Sequence, residues 1–255
     1  MKSPFVSFLY SLRIAFPLLI FLKIKYGIKK YIFTYTGKII FFKDDIIIKI
    51  PLSKFGLNDL ENEIYNHQRL KTNSLFSYSL KRRGLLFVMS KLSVPTKEVQ
   101  KKEILNRIRT ISKMENEHLK YDYVINHLIH NVSKRFEDIK LNMDISNIKY
   151  SPNHNDFTSG NVMEYKKRIV LIDVSKFEFN SYSEFDNFHY DIQKDCLMNK
   201  TNFFTLFLKN QIPVNDKYII YFVYRVYFET KLNFDSTYIS LVEKTISYFI
   251  NYESK

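Results

Sequence analysis

His154-Asn155-Asp156-Phe157-Thr158-Ser159-Gly160-Asn161, followed by Arg168-Ile169-Val170-Leu171-Ile172-Asp173, is the stretch on which the fold of this chain turns. Polar, turn-forming residues surround Asp156 and Asn161 and place both on a loop. The apolar run Ile169 to Ile172 reads as a strand with Asp173 at its end. This spacing lets two carboxylates and an amide carbonyl converge. Such hard oxygen donors suit Mg2+ and leave positions on it for phosphate.

Upstream, YIFTYTGKIIFFKDDIIIKI is rich in aromatic and β-branched residues and is broken at Thr36-Gly37-Lys38 and at Lys43-Asp44-Asp45. Two hairpins, or three consecutive strands, are expected, with Lys49 near the end of the last. Beyond Pro51, LNDLENEIYNHQRL carries Leu57, Leu60, Ile64, His67 and Leu70 at helical spacing. SLFSYSL and LLFVMSKL read as two more strands around the Arg82-Arg83-Gly84 turn. Past Pro95 the chain turns helical, with KEVQKKEILNRIRTISKMENEHL and YDYVINHLIHNVSKRFEDI as long candidates. Strands and loops return from Asn147 to Phe179, and helix again from Asp191 to Tyr252.

Composition narrows the chemistry. The 255 residues are 45% hydrophobic and 25% charged, an ordinary globular balance that excludes wholesale disorder. The five glycines are too scattered for a GxGxxG dinucleotide loop or a GxxxxGK phosphate loop. The single Cys196 excludes an internal disulfide and a cysteine-rich zinc site, which favours a reducing, cytoplasmic setting. A net charge of +13 points to an anionic contact without choosing among nucleic acid, lipid headgroups and phosphorylated substrate. The residue set of AT-rich codons, heavy in Lys, Asn, Ile, Phe and Tyr, accounts for part of that charge. The apolar stretch Phe5 to Leu22 is interrupted by Arg13 and Pro17, which disfavours a membrane span. It reads as a helix packed on its own domain or lying in a membrane interface.

The quoted motif resembles the phosphotransferases with a protein-kinase-like fold, a family that includes aminoglycoside phosphotransferases, choline kinases and lipopolysaccharide and surface-sugar kinases. Their HGDxxxxN pattern, followed by a strand ending in Ile-Asp, is matched by His154, Asp156, Asn161 and Ile172-Asp173. Phe157-Thr158 is similar to members associated with surface polysaccharides. The resemblance implies an α+β, two-lobed fold: an apolar and basic helix over 1–30, a small β-rich lobe over 31–92 and a helical lobe over 93–255. It implies ATP and Mg2+ as cofactors. Asp156 would orient or deprotonate an acceptor hydroxyl, His154 would brace the loop, and Asn161 and Asp173 would hold the metal. Lys49 would contact phosphates with Glu63 as its partner. The backbone at Met89, Ser90 and Lys91 would meet adenine, and Asp191 in FHYDIQKDCL would lie on the helix that buttresses the loop.

The acceptor implied is a hydroxyl of a bacterial surface glycan, which suits a cytoplasmic protein that is peripheral on the inner face of the membrane. A small alcohol such as choline or an aminoglycoside is the alternative. Three departures from the family pattern stand out. Asn155 replaces glycine between His and Asp, no glycine-rich loop covers the phosphates, and Val174-Ser175 follows Asp173. Asn tolerates left-handed backbone angles. Gly160 would ease the turn into Asn161.

A catalytically silent binding module is the rival reading. His127 and His130 lie three apart on a helical stretch but lack a third ligand at zinc-like spacing. His67, His118 and His189 read as ordinary helix or loop residues, Cys196 as a small hydrophobe, and the many Tyr and Phe as core. Arg82-Arg83 and Lys101-Lys102 are too short for a nucleic-acid patch, so no nucleic-acid partner is expected.

Overall fold

The computed structural model describes residues 30–34, 37–43, 45–96, 99–111, 149–203, 205–206 and 216–231, with isolated positions between 17 and 27 and at 240 and 244. Most of Phe5 to Leu22, the segment around His118, His127 and His130, and much of the C-terminal helical stretch lie outside them. Among the described residues no helix is long and apolar enough to cross a membrane.

The fold is α+β, and the chain divides into two compact units. The first comprises residues 1–98 and 162–175, the second 99–161 and 176–255. Residues 162–175, which a single cut after Leu92 would assign to the helical part, therefore pack with the first unit.

The first unit is built on a five-stranded antiparallel sheet in the order β1-β2-β3-β5-β4. The strands are β1 (Lys30–Phe33), β2 (Lys38–Phe42), β3 (Ile46–Pro51), β4 (Leu80–Arg83) and β5 (Leu86–Ser90). Of the two arrangements expected, three consecutive strands is the one present, with β1, β2 and β3 paired antiparallel. β1, at the edge, is mostly exposed, whereas the interior of β3 is buried. Alternation gives each face its own residues. Ile39, Phe41, Ile48 and Ile50 cluster on one side. On the other, Ile47 and Met89 pack with Tyr78, Leu80, Leu92 and Val170. Lys49 lies opposite Ile40, and Lys38 opposite Pro51. This register puts both lysines on the second face.

The first helix, α1 (Lys54–Leu70), starts where the Ser53 hydroxyl accepts from Gly56 N at 2.9 Å. Its buried stripe is rotated slightly from the one its apolar spacing suggests. Leu60 and Leu70 are buried, but so are Asp59, Glu63, Asn66 and His67, while Leu57 and Ile64 are only half-buried. The strand expected over SLFSYSL forms only at its end. Asn73 Oδ1 accepts from Leu75 N at 2.9 Å and caps a short 3-10 turn, Ser74–Phe76, so β4 begins at Leu80.

The hairpin of β7 (Val162–Tyr165) and β8 (Arg168–Leu171) completes this unit. Lys166 and Lys167, both with positive φ, form its two-residue turn. Ser93 bridges to Glu164 on the hairpin.

The second unit contains α2 (Lys101–Arg109), the strand pair β6 (Tyr150–Asn153) and β9 (Glu178–Tyr182), then α3 (Phe185–Met198) and α4 (Asp216–Lys231). Its described core is aromatic: Phe157, Phe185, Tyr221, Phe222 and Tyr224 are each at most 2% exposed.

Candidate active site

The site residues form one charged cluster in each unit. In the first, Lys49 Nζ lies 2.6 and 2.7 Å from Glu63 Oε1 and Oε2, with both side chains at most 5% exposed. Two short charge-assisted bonds fix the ammonium against the helix. Lys38, equally buried, pairs with Asp59 one helical turn earlier. Lys38 escaped the sequence reading, although its alternation phase with Ile40 and Phe42 is a usable signal.

Asp173 belongs to the same cluster electrostatically. Burial works against the Lys38 ammonium, but Asp173, Asp59 and Glu63 outweigh it and hold its pKa above the ordinary lysine value. Burial raises Glu63, and Asp173 adds to that rise against the pull of Lys49 and Lys38. Asp173 follows β8 with φ 60, a left-handed backbone unusual for a non-glycine residue. From α1, the Asn66 amide donates to the Val174 carbonyl at 2.8 Å and ties the segment after Asp173 to the helix.

The residues proposed for adenine fit only in part. Met89 is buried in the apolar cluster of the second sheet face. Ser90 N already donates to Ser79 O at 2.9 Å, and Lys91 N to Asp45 O at 3.0 Å. Those two N–H groups are engaged in backbone hydrogen bonds.

The second cluster centres on Asp156. Its Oδ1 lies 3.1 Å from His189 Nε2 and 3.5 Å from an Arg225 guanidinium nitrogen, and its Oδ2 lies 4.0 Å from Lys176 Nζ. The Asp156 side chain is 23% exposed, whereas His189, Arg225 and Lys176 are nearly buried. Burial opposes ionisation of Asp156, but Lys176, the His189 hydrogen bond and Arg225 outweigh it and hold the carboxyl well below its usual range. It is ionised at neutral pH. Burial, reinforced by Arg225, lowers His189 to about 4, so the imidazole is neutral. Arg225 escaped the sequence reading, and His189, read there as an ordinary helix or loop residue, instead meets Asp156.

The loop backbone is held from α3. Asp186 Oδ2 accepts from His154 N at 2.6 Å and Oδ1 from Asn155 N at 2.8 Å. The buttressing carboxylate is therefore Asp186 and not Asp191, which is exposed and pairs with Lys101 at 2.8 Å. Two aspartates in SEFDNFHYDI fit the pattern, and helix phase decides between them. His154 is fully buried, and its backbone N–H is one of the two that Asp186 holds.

Asn155 adopts φ 62, so the left-handed residue of the loop is the asparagine; Gly160 has no positive φ. The Asn155 side chain is used as well. Its amide donates to Lys176 O at 2.9 Å, and its oxygen accepts from the Ser181 hydroxyl at 2.9 Å. Asn161 Nδ2 donates to the Asp156 carbonyl at 2.8 Å and closes the loop on itself. Phe157 is fully buried, with its ring 5.1 Å from that of Tyr190.

The donor types suit a hard cation. In the first unit Asp173 offers carboxylate oxygen, and its cluster sets three carboxylates against two ammoniums. Among the described residues no group of three or more His, Cys, Asp or Glu is placed to hold a metal by itself. Phosphate oxygens and water would supply the remaining ligands, as Mg2+ ordinarily requires.

No protein-family model and no curated protein matches the sequence. Among solved structures, the chain is similar to an ADP-bound aminoglycoside phosphotransferase at 13% identity and TM-score 0.47, covering 90% of this chain and 96% of that one. It is similar to the choline kinase LicA from Streptococcus pneumoniae at 15% identity and TM-score 0.42, covering 91% and 98%. A third, an aminoglycoside phosphotransferase in a ternary complex with streptomycin and ATP, is 17% identical with TM-score 0.46, covering 66% and 73%. All three fall below 0.5 in TM-score, so the chemistry of the two clusters carries the functional conclusion.

Proposed function

We propose that this chain is an ATP- and Mg2+-dependent phosphotransferase that moves the γ-phosphoryl group to an alcohol. The observation that carries this reading is the buried Lys49–Glu63 pair in the electrostatic company of Asp173. An ammonium clamped by a carboxylate on a helix presents a fixed positive charge to phosphate oxygens. The partly buried apolar side chains of the same sheet face, Ile40, Phe42 and Ile172 among them, would be the surface for a purine.

Asn161 and Asp173 would hold the metal, which neutralises charge on the phosphates when bound. Asp156, kept ionised by Lys176 and Arg225, is a weak base. Its role is to orient the acceptor hydroxyl and to take the proton late, as the oxygen gains bonding to phosphorus. Lys176 and Arg225 also keep the neighbourhood positive while charge shifts between oxygens.

The acceptor is a hydroxyl on a sugar of a surface glycan or on a small alcohol. Phe157, part of the surface-sugar resemblance, is a packed core residue, so its presence does not choose between them. The test is a melting-temperature titration with ATP and Mg2+ on the natural chain and on Asp173→Ala. Labelled γ-phosphate would then be offered to extracted surface glycans and to a small-alcohol panel. A rise in melting temperature that Asp173→Ala abolishes, with label on one acceptor class, is expected. No shift in the natural chain would leave the silent binding module as the better description.

A further inference from the structure

We propose that His189 and Tyr221 are positioning residues for Asp156, forming a directional hydrogen-bond relay from the Tyr221 hydroxyl through the imidazole to the carboxylate. His189 Nδ1 lies 2.8 Å from Tyr221 Oη, and Nε2 lies 3.1 Å from Asp156 Oδ1. The relay rests on the phosphotransferase reading for its purpose, but its geometry stands independently of that reading.

The direction follows from the donor and acceptor chemistry. A carboxylate accepts and does not donate, so Nε2 carries the proton in its contact with Asp156 Oδ1. Nδ1 is then the acceptor, and the Tyr221 O–H is the donor. Asp156 selects this tautomer, and Tyr221 on α4 holds it by donating to Nδ1 of His189 on α3. Aromatic packing fixes the ring plane, with Phe185 stacked on His189 at 5.8 Å and tilted against Tyr221 at 4.9 Å. The charged and titratable groups around the imidazole are Asp156, Arg225, Lys176 and Tyr221.

A carboxylate that is partly exposed for an acceptor needs its rotamer held from behind. Lys176 and Arg225 supply charge at 4.0 and 3.5 Å, distances that attract without fixing direction. His189 supplies the one directional bond, and as a neutral donor it adds no further positive charge. The consequence is preorganisation of the acceptor-facing group.

The first readout requires no turnover. Long-range proton–nitrogen correlation on the full chain, with His189 assigned by difference against His189→Gln, should show a neutral imidazole protonated only at Nε2 from pH 8 to pH 5. Tyr221→Phe, which removes the donor to Nδ1, should shift the Nδ1 resonance while the proton stays on Nε2, and an unmoved Nδ1 resonance would take Tyr221 out of the relay. A proton on Nδ1, or a charged imidazole at pH 7, would overturn the relay.

The second readout is ATP hydrolysis with water as acceptor. His189→Leu should lower kcat at least tenfold with KM for ATP within twofold of the natural value. His189→Gln, whose amide can donate to Asp156 and accept from Tyr221, should recover most of that loss. A folded His189→Leu protein with natural kcat would also overturn the proposal. Absence of ATP binding by a natural chain that still shows the Nε2–H tautomer would count against the phosphotransferase reading and leave the relay standing.

Discussion

Lys49 grips Glu63 at both carboxylate oxygens, and the pair is closed off from solvent. Removing one side leaves a buried charge behind, which is the costly way to break such a pair. Lys49→Met should therefore destabilise the chain by about 3–5 kcal/mol in urea titrations. It should also abolish the ATP-dependent rise in melting temperature. Glu63→Gln, which can still accept from the ammonium, should cost less stability and weaken ATP binding without eliminating it. Natural ATP affinity in a folded Lys49→Met protein would remove this pair from the nucleotide site.

Asp186 is the anchor of the motif loop through two backbone N–H groups. Asp186→Ala leaves both donors buried without an acceptor, at about 1–3 kcal/mol each. A loss of about 2–5 kcal/mol is expected, whereas Asp191→Ala, at an exposed pair, should cost under about 1 kcal/mol. Paired urea titrations of the two variants check this, and equal losses would contradict the assignment of the buttress to Asp186.

At Asn155 two effects compete. Replacing it with glycine removes the cost of a left-handed non-glycine residue, about 1 kcal/mol. The same change deletes two buried hydrogen bonds and strands the Lys176 carbonyl and the Ser181 hydroxyl, at about 1–3 kcal/mol for each group left unsatisfied. The second effect wins. Asn155→Gly should destabilise by about 1–4 kcal/mol, although it restores the residue that the family pattern carries. A more stable glycine variant would mean that the side-chain bonds contribute nothing.

The pH dependence of stability can be assigned a sign. Burial and Arg225 hold His189 at about 4 in the folded chain, against 6.5 for the ordinary group. Between these values the unfolded state binds a proton that the folded state refuses. The contribution is complete above pH 6.5 and is lost as the pH falls toward 4, an effect on the order of 3 kcal/mol. His189→Gln lacks this loss, so its stability relative to the natural chain should improve steadily across that window. Asp186 runs the other way. Burial raises it to about 6 from 3.8, so its contribution is present below pH 3.8 and is lost as the pH rises through 6. Both proteins carry Asp186, and it cancels in the comparison. A pH-independent difference between the two would show that His189 titrates normally.

Local pattern carried the architecture well. The strands around Lys49, the helix bearing Glu63 and the Asp156 loop follow from periodicity and turn chemistry within short windows. What sequence could not supply was the set of side chains that converge from remote elements. His189 and Arg225 reach Asp156 from α3 and α4; the helix of His189 is expected against the loop, but neither side chain is marked by sequence as a partner of Asp156. Asp186 and Asp191 are equivalent as pattern and differ only in which face of α3 they occupy. Lys38 looked like a turn residue because β2 begins there, and only register shows it sharing a face with Lys49. The polar content of the buried stripe on α1 also hid from an apolar count, since Asp59, Glu63 and Asn66 are buried with their partners.

That stripe has a wider consequence. Asp59, Glu63, Asn66 and His67 fasten one helix to β2, to β3, to the Val174 carbonyl and, at 3.0 Å, to the Tyr78 carbonyl. Swinging such a helix outward, a common way to throttle enzymes of similar layout, would mean breaking four buried polar contacts in one movement. Amide exchange along residues 59–67 should accordingly be as slow without ATP as with it. The helix is a rivet and not a lever.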